Sequence, residues 1–147
     1  MESLKIRSRM KHFKLVARIT HVSAVRVCGE ADFNRMPVFG GLEALAQLAA
    51  MHVRYCLQFE RHAFLLKVNR GQWPAQDALT GCYRMQADLD SQGSDAFAYR
   101  VQAEGPPGAK LNADLLIGTQ PYDGKFKEEI LRAHYREWFL KLQLARC

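Results

Sequence analysis

At 147 residues the chain has the length of one domain and can bury a core without disulfide or metal staples. Hydrophobic residues make up 48% and charged residues 24%, a balance that excludes a disordered chain; no apolar run reaches the length of a membrane span. The formal net charge is +6, but the basic residues are not interleaved with an aromatic stacking platform, which argues against nucleic acid as a partner.

The first residues, MESLKIRSRMKHFKLVARI, lack the apolar stretch and small-residue cleavage site of a secretory signal, so a cytoplasmic location is expected. Residues 13–19 and 22–28 read as two strands rich in β-branched residues. A loop is expected over GEADFNRMPVFGG, punctuated by Pro37 and the Gly40-Gly41 pair. Residues 42–59 then predict a helix whose first part is apolar on nearly every face, interrupted only by Glu43 and Gln47. Such a helix must be buried nearly all round. Glu43 and Gln47 are four apart and therefore share a face.

Residues 63–69 predict a short buried strand. Tyr83, Met85, Ala87 and Leu89, then Phe97, Tyr99, Val101 and Ala103, then Leu111, Ala113, Leu115 and Ile117 alternate with polar residues. Joined by Gln92-Gly93-Ser94 and Gly105-Pro106-Pro107-Gly108, these three strands make an antiparallel meander. Residues 125–142 carry Phe126, Ile130, Leu131, His134, Tyr135, Trp138, Phe139 and Leu142 as one stripe at helical spacing. The expected fold is α+β: a curved antiparallel sheet around one central helix over residues 1–121, with an amphipathic helix appended over 122–147. A helix covered on one side only would leave a bare apolar side, which predicts a homodimer built on residues 42–59, or a dimer of dimers.

Cys28, Cys56, Cys82 and Cys147 are far apart and form no C-x-x-C pair, so reduced thiols are expected. His12, His21, His52, His62 and His134 show no ligand spacing. Neither a metal nor a cofactor is expected.

DFNRMPVFGG followed by LEALAQLAA, preceded by KHFKLVARI and followed by HAFLLKVNRGQWPAQDALTG, resembles the β-hydroxyacyl-acyl carrier protein dehydratases of the hotdog fold. In that family the corresponding segments are a His-Phe-Pro loop, a Pro-x-x-Pro-Gly turn and a buried helix opening with Glu-Ala-x-Ala-Gln. The resemblance spans roughly residues 11–119. It implies a hotdog sheet, an acyl thioester on phosphopantetheine lying in a tunnel at a dimer interface, and acid–base chemistry by a His and the helix carboxylate. The carboxylate matches Glu43. The His column falls on Asp32 when the loop is kept ungapped and on Gly29 when the helix is; neither is an imidazole. An exposed aspartate, with a pKa of about 3.9, is a poor base for α-proton removal near neutrality.

The candidate catalytic residues are therefore Glu43 and Asp32. A carboxylate with a helix N-terminus suffices for thioester hydrolysis. The amides of Gly40 and Gly41 could hold a thioester oxygen, with Phe39 and Gln47 completing the substrate-binding set. A buried Glu43 would have a raised pKa unless it capped the helix or met an arginine. Asp32 could otherwise form an Asx turn. His21 is the one histidine placed to serve as a displaced base, and His52 and Tyr55 are expected to pack. Three readings stay open: hydrolysis of an acyl-coenzyme A or acyl-carrier-protein thioester, a dehydratase-like activity, and a non-catalytic acyl-binding or accessory subunit. The basic residues Lys5, Arg7, Arg9, Lys11, Lys14 and Arg18 would dock an acidic carrier protein.

Overall fold

Alternation along the strands decides which side of the sheet each residue takes. The computed structural model describes residues 14–123 and 125–145. It contains strands β1 (Arg18–Val22) and β2 (Arg26–Pro37), helix α1 (Val38–Cys56), strands β3 (His62–Gln72), β4 (Ala78–Gln92), β5 (Ala96–Gly105) and β6 (Ala109–Gln120), and helix α2 (Lys125–Leu144). The strands form one antiparallel sheet in the order β1-β2-β4-β5-β6-β3. Val27, Ala31 and Phe33 on β2, Tyr83, Met85 and Ala87 on β4, Phe97, Tyr99 and Val101 on β5, and Leu111, Leu115 and Ile117 on β6 are all buried. They close over Leu45, Leu48, Met51 and Val53 of α1. This is the expected α+β architecture, a curved sheet around a central helix.

Several local expectations shift. The first two strands are β1 and β2 at later positions, because Ser23 makes the turn between them: its Oγ accepts from the Val25 and Arg26 amides at 3.4 and 3.2 Å. The expected loop is largely strand. β2 runs through Asp32 and Phe33, pairs Met36 and Pro37 with Leu79 and Ala78, and absorbs one irregularity where Arg35 takes a φ of 52°. The helix therefore begins at Val38, so that Gly40 and Gly41 lie within its first turn. A Cβ on Gly40 would meet the Met36 side chain at 2.3 Å, and one on Gly41 would meet Leu79 and Leu111 at 2.7 and 2.8 Å. Close packing of the helix start on the sheet thus requires these two glycines. The helix ends at Cys56, where Gln58 and Phe59 turn through positive φ.

The buried stripe of α2 is Tyr135, Phe139 and Leu142 with Leu131 and Trp138 beside it, all in the same cluster as the sheet residues. Ile130, expected on that stripe, is 52% exposed, and the side chain of Phe126 lies outside the described residues. The helix packs on β1 and on the C-terminal end of α1, not on the outer face of the sheet. Tyr55 and Phe59 both contact the Phe139 ring, at centroid separations of 5.4 and 5.6 Å.

Candidate functional site

Phe39, Glu43 and Gln47 follow one another at four-residue spacing along α1 and form a line on its solvent side. Phe39 is 68% exposed, Glu43 is exposed and Gln47 is half-buried, while the intervening Ala44, Leu45, Ala46 and Leu48 are buried. The expectation of a buried Glu43 is therefore not met in the single chain: the sheet and α2 cover the other sides of the helix and leave this stripe open. Gln47 Oε1 accepts a 2.8 Å hydrogen bond from the Leu15 amide. That contact ties the segment ahead of β1 across the middle of α1.

The N-terminus of α1 has no side-chain cap, and its first turn carries no acidic residue, so Glu43 does not cap the helix. The amides of Phe39 and Gly40 in the first turn have no intrahelical partner, whereas that of Gly41 lies four residues beyond the Pro37 N-cap, whose carbonyl accepts the first helical bond. Helical side chains lean toward the N-terminus, so the Glu43 carboxylate projects over the turn that holds Phe39 and Gly40. A carboxylate, open helix amides and an apolar ring are thus gathered within about one turn of helix.

Asp32 lies elsewhere. Residues 27, 29, 31 and 33 of β2 face α1, and a Cβ on Gly29 would touch Leu48. Asp32, at an even position, is on the outer face of the sheet. There it is held by Arg18, whose Nη2 and Nη1 donate to its two oxygens at 2.8 and 3.1 Å. Arg18 Nε donates to Glu30 at 2.7 Å. The paired guanidinium lowers the Asp32 pKa, chiefly through these hydrogen bonds. Cys82, the register partner of Asp32, donates to Glu30 at 3.5 Å; burial raises its thiol pKa. The structure does not bring Asp32 and Glu43 together, and Asp32 makes an ion pair in place of an Asx turn.

Among the described residues no histidine is placed as a base beside Glu43. His52 is fully buried. Its Nε2 can only donate to the Ser23 carbonyl at 2.7 Å, so Nδ1 accepts from the Tyr99 hydroxyl at 2.5 Å. Burial lowers the imidazole pKa and raises that of Tyr99. This locked neutral imidazole is structural, as expected of His52, although its partners on a turn and on β5 could not be read from helical spacing. His21 is exposed on β1, not at a turn. His62 stacks among Phe64, Tyr122 and Tyr135; burial lowers its pKa and that of His134. His12 lies outside the described residues.

Sequence reasoning also missed Arg54. It is 7% exposed, lies over the Tyr135 ring at 3.8 Å and donates to the Ala63 carbonyl at 3.0 Å. Helical spacing alone gives no sign of its burial, because the helix that covers it, α2, is remote in sequence. Of the basic residues proposed as a dock, Lys14 sits over the Trp138 ring at 5.3 Å and Arg18 is engaged by carboxylates; Lys5, Arg7, Arg9 and Lys11 lie outside the described residues. Among the described residues no group of His, Cys, Asp and Glu is able to hold a metal, and no helix is long and apolar enough to cross a membrane.

No protein-family model matches the sequence, and no curated protein does. Solved structures match the fold. A thioesterase from Pseudomonas aeruginosa, crystallised as a point mutant, superposes with a TM-score of 0.62 at 12% identity, over 82% of this chain and 94% of its own. A thioesterase from Haemophilus influenzae gives 0.56 at 14% identity, over 73% and 80%. A dehydratase heterocomplex from Xenorhabdus doucetiae gives 0.60 at 14% identity, over 81% and 89%. With the sheet order and the enclosed helix, these likenesses establish that the chain has the hotdog fold.

Proposed function

We propose that this protein hydrolyses an acyl thioester, carried on coenzyme A or an acyl carrier protein, with Glu43 as the general base. The observation that carries the reading is the Phe39–Glu43–Gln47 stripe. It presents a carboxylate with no ion pair among the described residues, leaning over uncapped helix amides, on a fold shared with thioesterases. Glu43 takes a proton from water, and the water oxygen attacks the thioester carbonyl carbon. The resulting oxyanion is held by the open first-turn amides at Phe39 and Gly40, while the Gly41 amide expected beside them serves the helix itself. Collapse breaks the C–S bond and releases the thiol, which recovers the proton. Phe39 supplies apolar surface for the acyl group, and Gln47 orients the carbonyl or the water.

An open stripe excludes water poorly, so the site is proposed to be completed by a second copy in a cytoplasmic homodimer. β3 is an end strand of the sheet with Leu65, Leu66 and nearby Trp73 exposed at 39, 52 and 47%. Unpaired edges and bare apolar residues of this kind are normally covered. The full bare helix side expected from the sequence is reduced to this N-terminal stripe, and the dimer is placed accordingly. The test is release of free thiol from acyl-coenzyme A. Turnover that Glu43→Gln abolishes supports the assignment; acyl binding without turnover would favour an accessory subunit. That second reading draws on the absence of an imidazole next to Glu43 among the described residues. Formation of an enoyl product from a 3-hydroxyacyl thioester would mark the dehydratase-like activity instead.

A further inference from the structure

Three buried side-chain nitrogens have no hydrogen-bond partner among the described residues: Arg54 Nε, His62 Nδ1 and Arg132 Nε. They come from three elements, α1, β3 and α2, yet they share one neighbourhood. The Arg54 guanidinium lies over the Tyr135 ring at 3.8 Å, and its Nη2 donates to the carbonyl of Ala63, the residue after His62. The His62 ring is 6.4 Å from that of Tyr135 and 6.0 Å from that of Tyr122. Arg132 stands three residues before Tyr135 on α2 and so on the same side of it. The Arg54 charge reaches His62, where it adds to burial in lowering the imidazole pKa. Burial raises the Tyr122 pKa, and the Arg54 and Arg132 charges both pull it back. Buried donors left unmatched are uncommon and costly. Three in one cluster call for an acceptor that they share.

The cluster also carries a surplus of positive charge. Arg54 is buried, and among the described residues no carboxylate pairs with it. The acidic groups nearby are engaged elsewhere: Glu128 binds Arg132 at 2.5 Å, and Glu137 reaches Lys141 at 3.7 Å. Asp123 is exposed. The last carbonyls of α1 are occupied too, since those of Val53, Arg54 and Tyr55 accept from the amides of Leu57, Phe59 and Gln58. Arg132 is balanced by Glu128, and burial keeps His62 neutral at pH 7, so the buried surplus is the single charge of Arg54. A buried ion without a counterion is strongly unfavourable.

We infer that Arg54, His62 and Arg132 form a binding site for one small monovalent anion of halide size, enclosed where α2 crosses the end of α1. The Nε–H groups of the two arginines and the Nδ1–H tautomer of His62 donate to it. One negative charge balances Arg54, whereas a dianion such as sulfate would leave a buried charge of the opposite sign. The rings of Phe64, Tyr122 and Tyr135 surround His62, and Tyr135, which covers Arg54, is itself only 7% exposed. A bulky organic carboxylate would have to lift that ring. The ion ties α1, β3 and α2 to one centre, so α2 docks most firmly when it is bound. Arg54 lies about 16 Å further along α1 than Glu43, so this site is separate from the groups proposed to act on the thioester.

The test is the thermal melt of the full chain as chloride replaces gluconate at a fixed ionic strength of about 200 mM, which holds screening constant. The wild-type melting temperature should rise by about 3–6 °C, as mass action requires of a ligand that binds only the folded state. Bromide should act like chloride, and sulfate should add no more than its general salting effect. Arg54→Met keeps an apolar stem over Tyr135 and removes the charge, so its melt should lose the chloride response. His62→Phe keeps a ring and removes one donor, so the chloride concentration giving half the rise should increase by about threefold or more. The chloride NMR signal gives a second reading: wild type should broaden it, added bromide should sharpen it, and Arg54→Met should leave it narrow. Should Arg54→Met fail to fold, the His62→Phe shift and the bromide displacement decide the matter. A wild-type melt indifferent to chloride, or a response that the variants retain unchanged, would overturn the proposal.

Discussion

Helix α1 changes surroundings halfway along. From Ala49 to Arg54 every residue is buried. His52 there is locked between Tyr99 and Ser23, and Arg54 lies beneath Tyr135 of α2. From Val38 to Ala46 the helix is packed on the sheet side, with Phe39 and Glu43 left in solvent. One half has its polar groups enclosed and mostly matched by specific partners; the other presents a carboxylate and open amides to whatever arrives. The difference follows from where α2 lands: it covers the C-terminal half and stops short of the other. Changes in the two halves should therefore separate stability from turnover.

The largest effect is expected in the enclosed half. Tyr135→Ala deletes a buried ring and uncovers Arg54, which should cost about 3–5 kcal/mol of stability, read as a drop in the denaturation midpoint. Thiol release measured well below the melting temperature should be unchanged. Glu43→Gln should do the reverse. An exposed, isosteric change there should move stability by less than about 0.5 kcal/mol, while kcat falls by about 100-fold or more with KM little altered. Comparable losses of kcat in both variants would dissolve the distinction between the halves.

A third effect is smaller and depends on pH. His52, His62 and His134 all have pKa values lowered by burial, whereas in the unfolded chain they titrate near about 6.5. Below that pH the unfolded state binds more protons, so stability should fall as pH drops from about 7.5 to 5.5. The lowered pKa values of Asp32 and Asp88 add loss only at more acidic pH, below about 4. His52→Gln should make the melting temperature less dependent on pH over the first window. It should also cost about 1–3 kcal/mol, by disturbing the hydrogen bonds to Tyr99 and Ser23. An unchanged slope would mean that His62 and His134 carry the effect.

Alternation and helical spacing are local signals, and what they encode was legible: six strands, the buried helix and the amphipathic last helix. The strand through Asp32–Pro37 was not, because Pro37, Asn34 and Gly40-Gly41 are turn formers and its pairing with β4 is a long-range event. The outer faces of β4, β5 and β6 were visible as polar positions, but the row Glu30, Arg84, Glu104 and Lys110, alternating in sign across strands, depends on register, which no single strand contains. The Phe39–Glu43–Gln47 stripe was half legible. Spacing put Glu43 and Gln47 on one face; which face stays open depends on the placement of α2, and so the burial expected of Glu43 did not hold in the single chain.

Asp32 gives the smallest effect and the closest control on the site. It and Glu43 were both candidates in the sequence because each is a carboxylate near the start of the helix. The structure sets them on opposite sides of the sheet, with Asp32 bound by Arg18 and its side chain still 58% exposed. Asp32→Asn keeps the shape and weakens a partly solvated ion pair. Such pairs contribute about 0.2–1 kcal/mol, and Arg18 retains Glu30 at 2.7 Å. The melting temperature should therefore fall by a few degrees at most. The loss should shrink as salt is raised, because screening already weakens the wild-type pair. Thiol release should stay within about twofold of wild type, since no atom of Asp32 faces α1. A 100-fold loss of turnover in this variant would move the chemistry to the outer face of the sheet and remove Glu43 as its sole base.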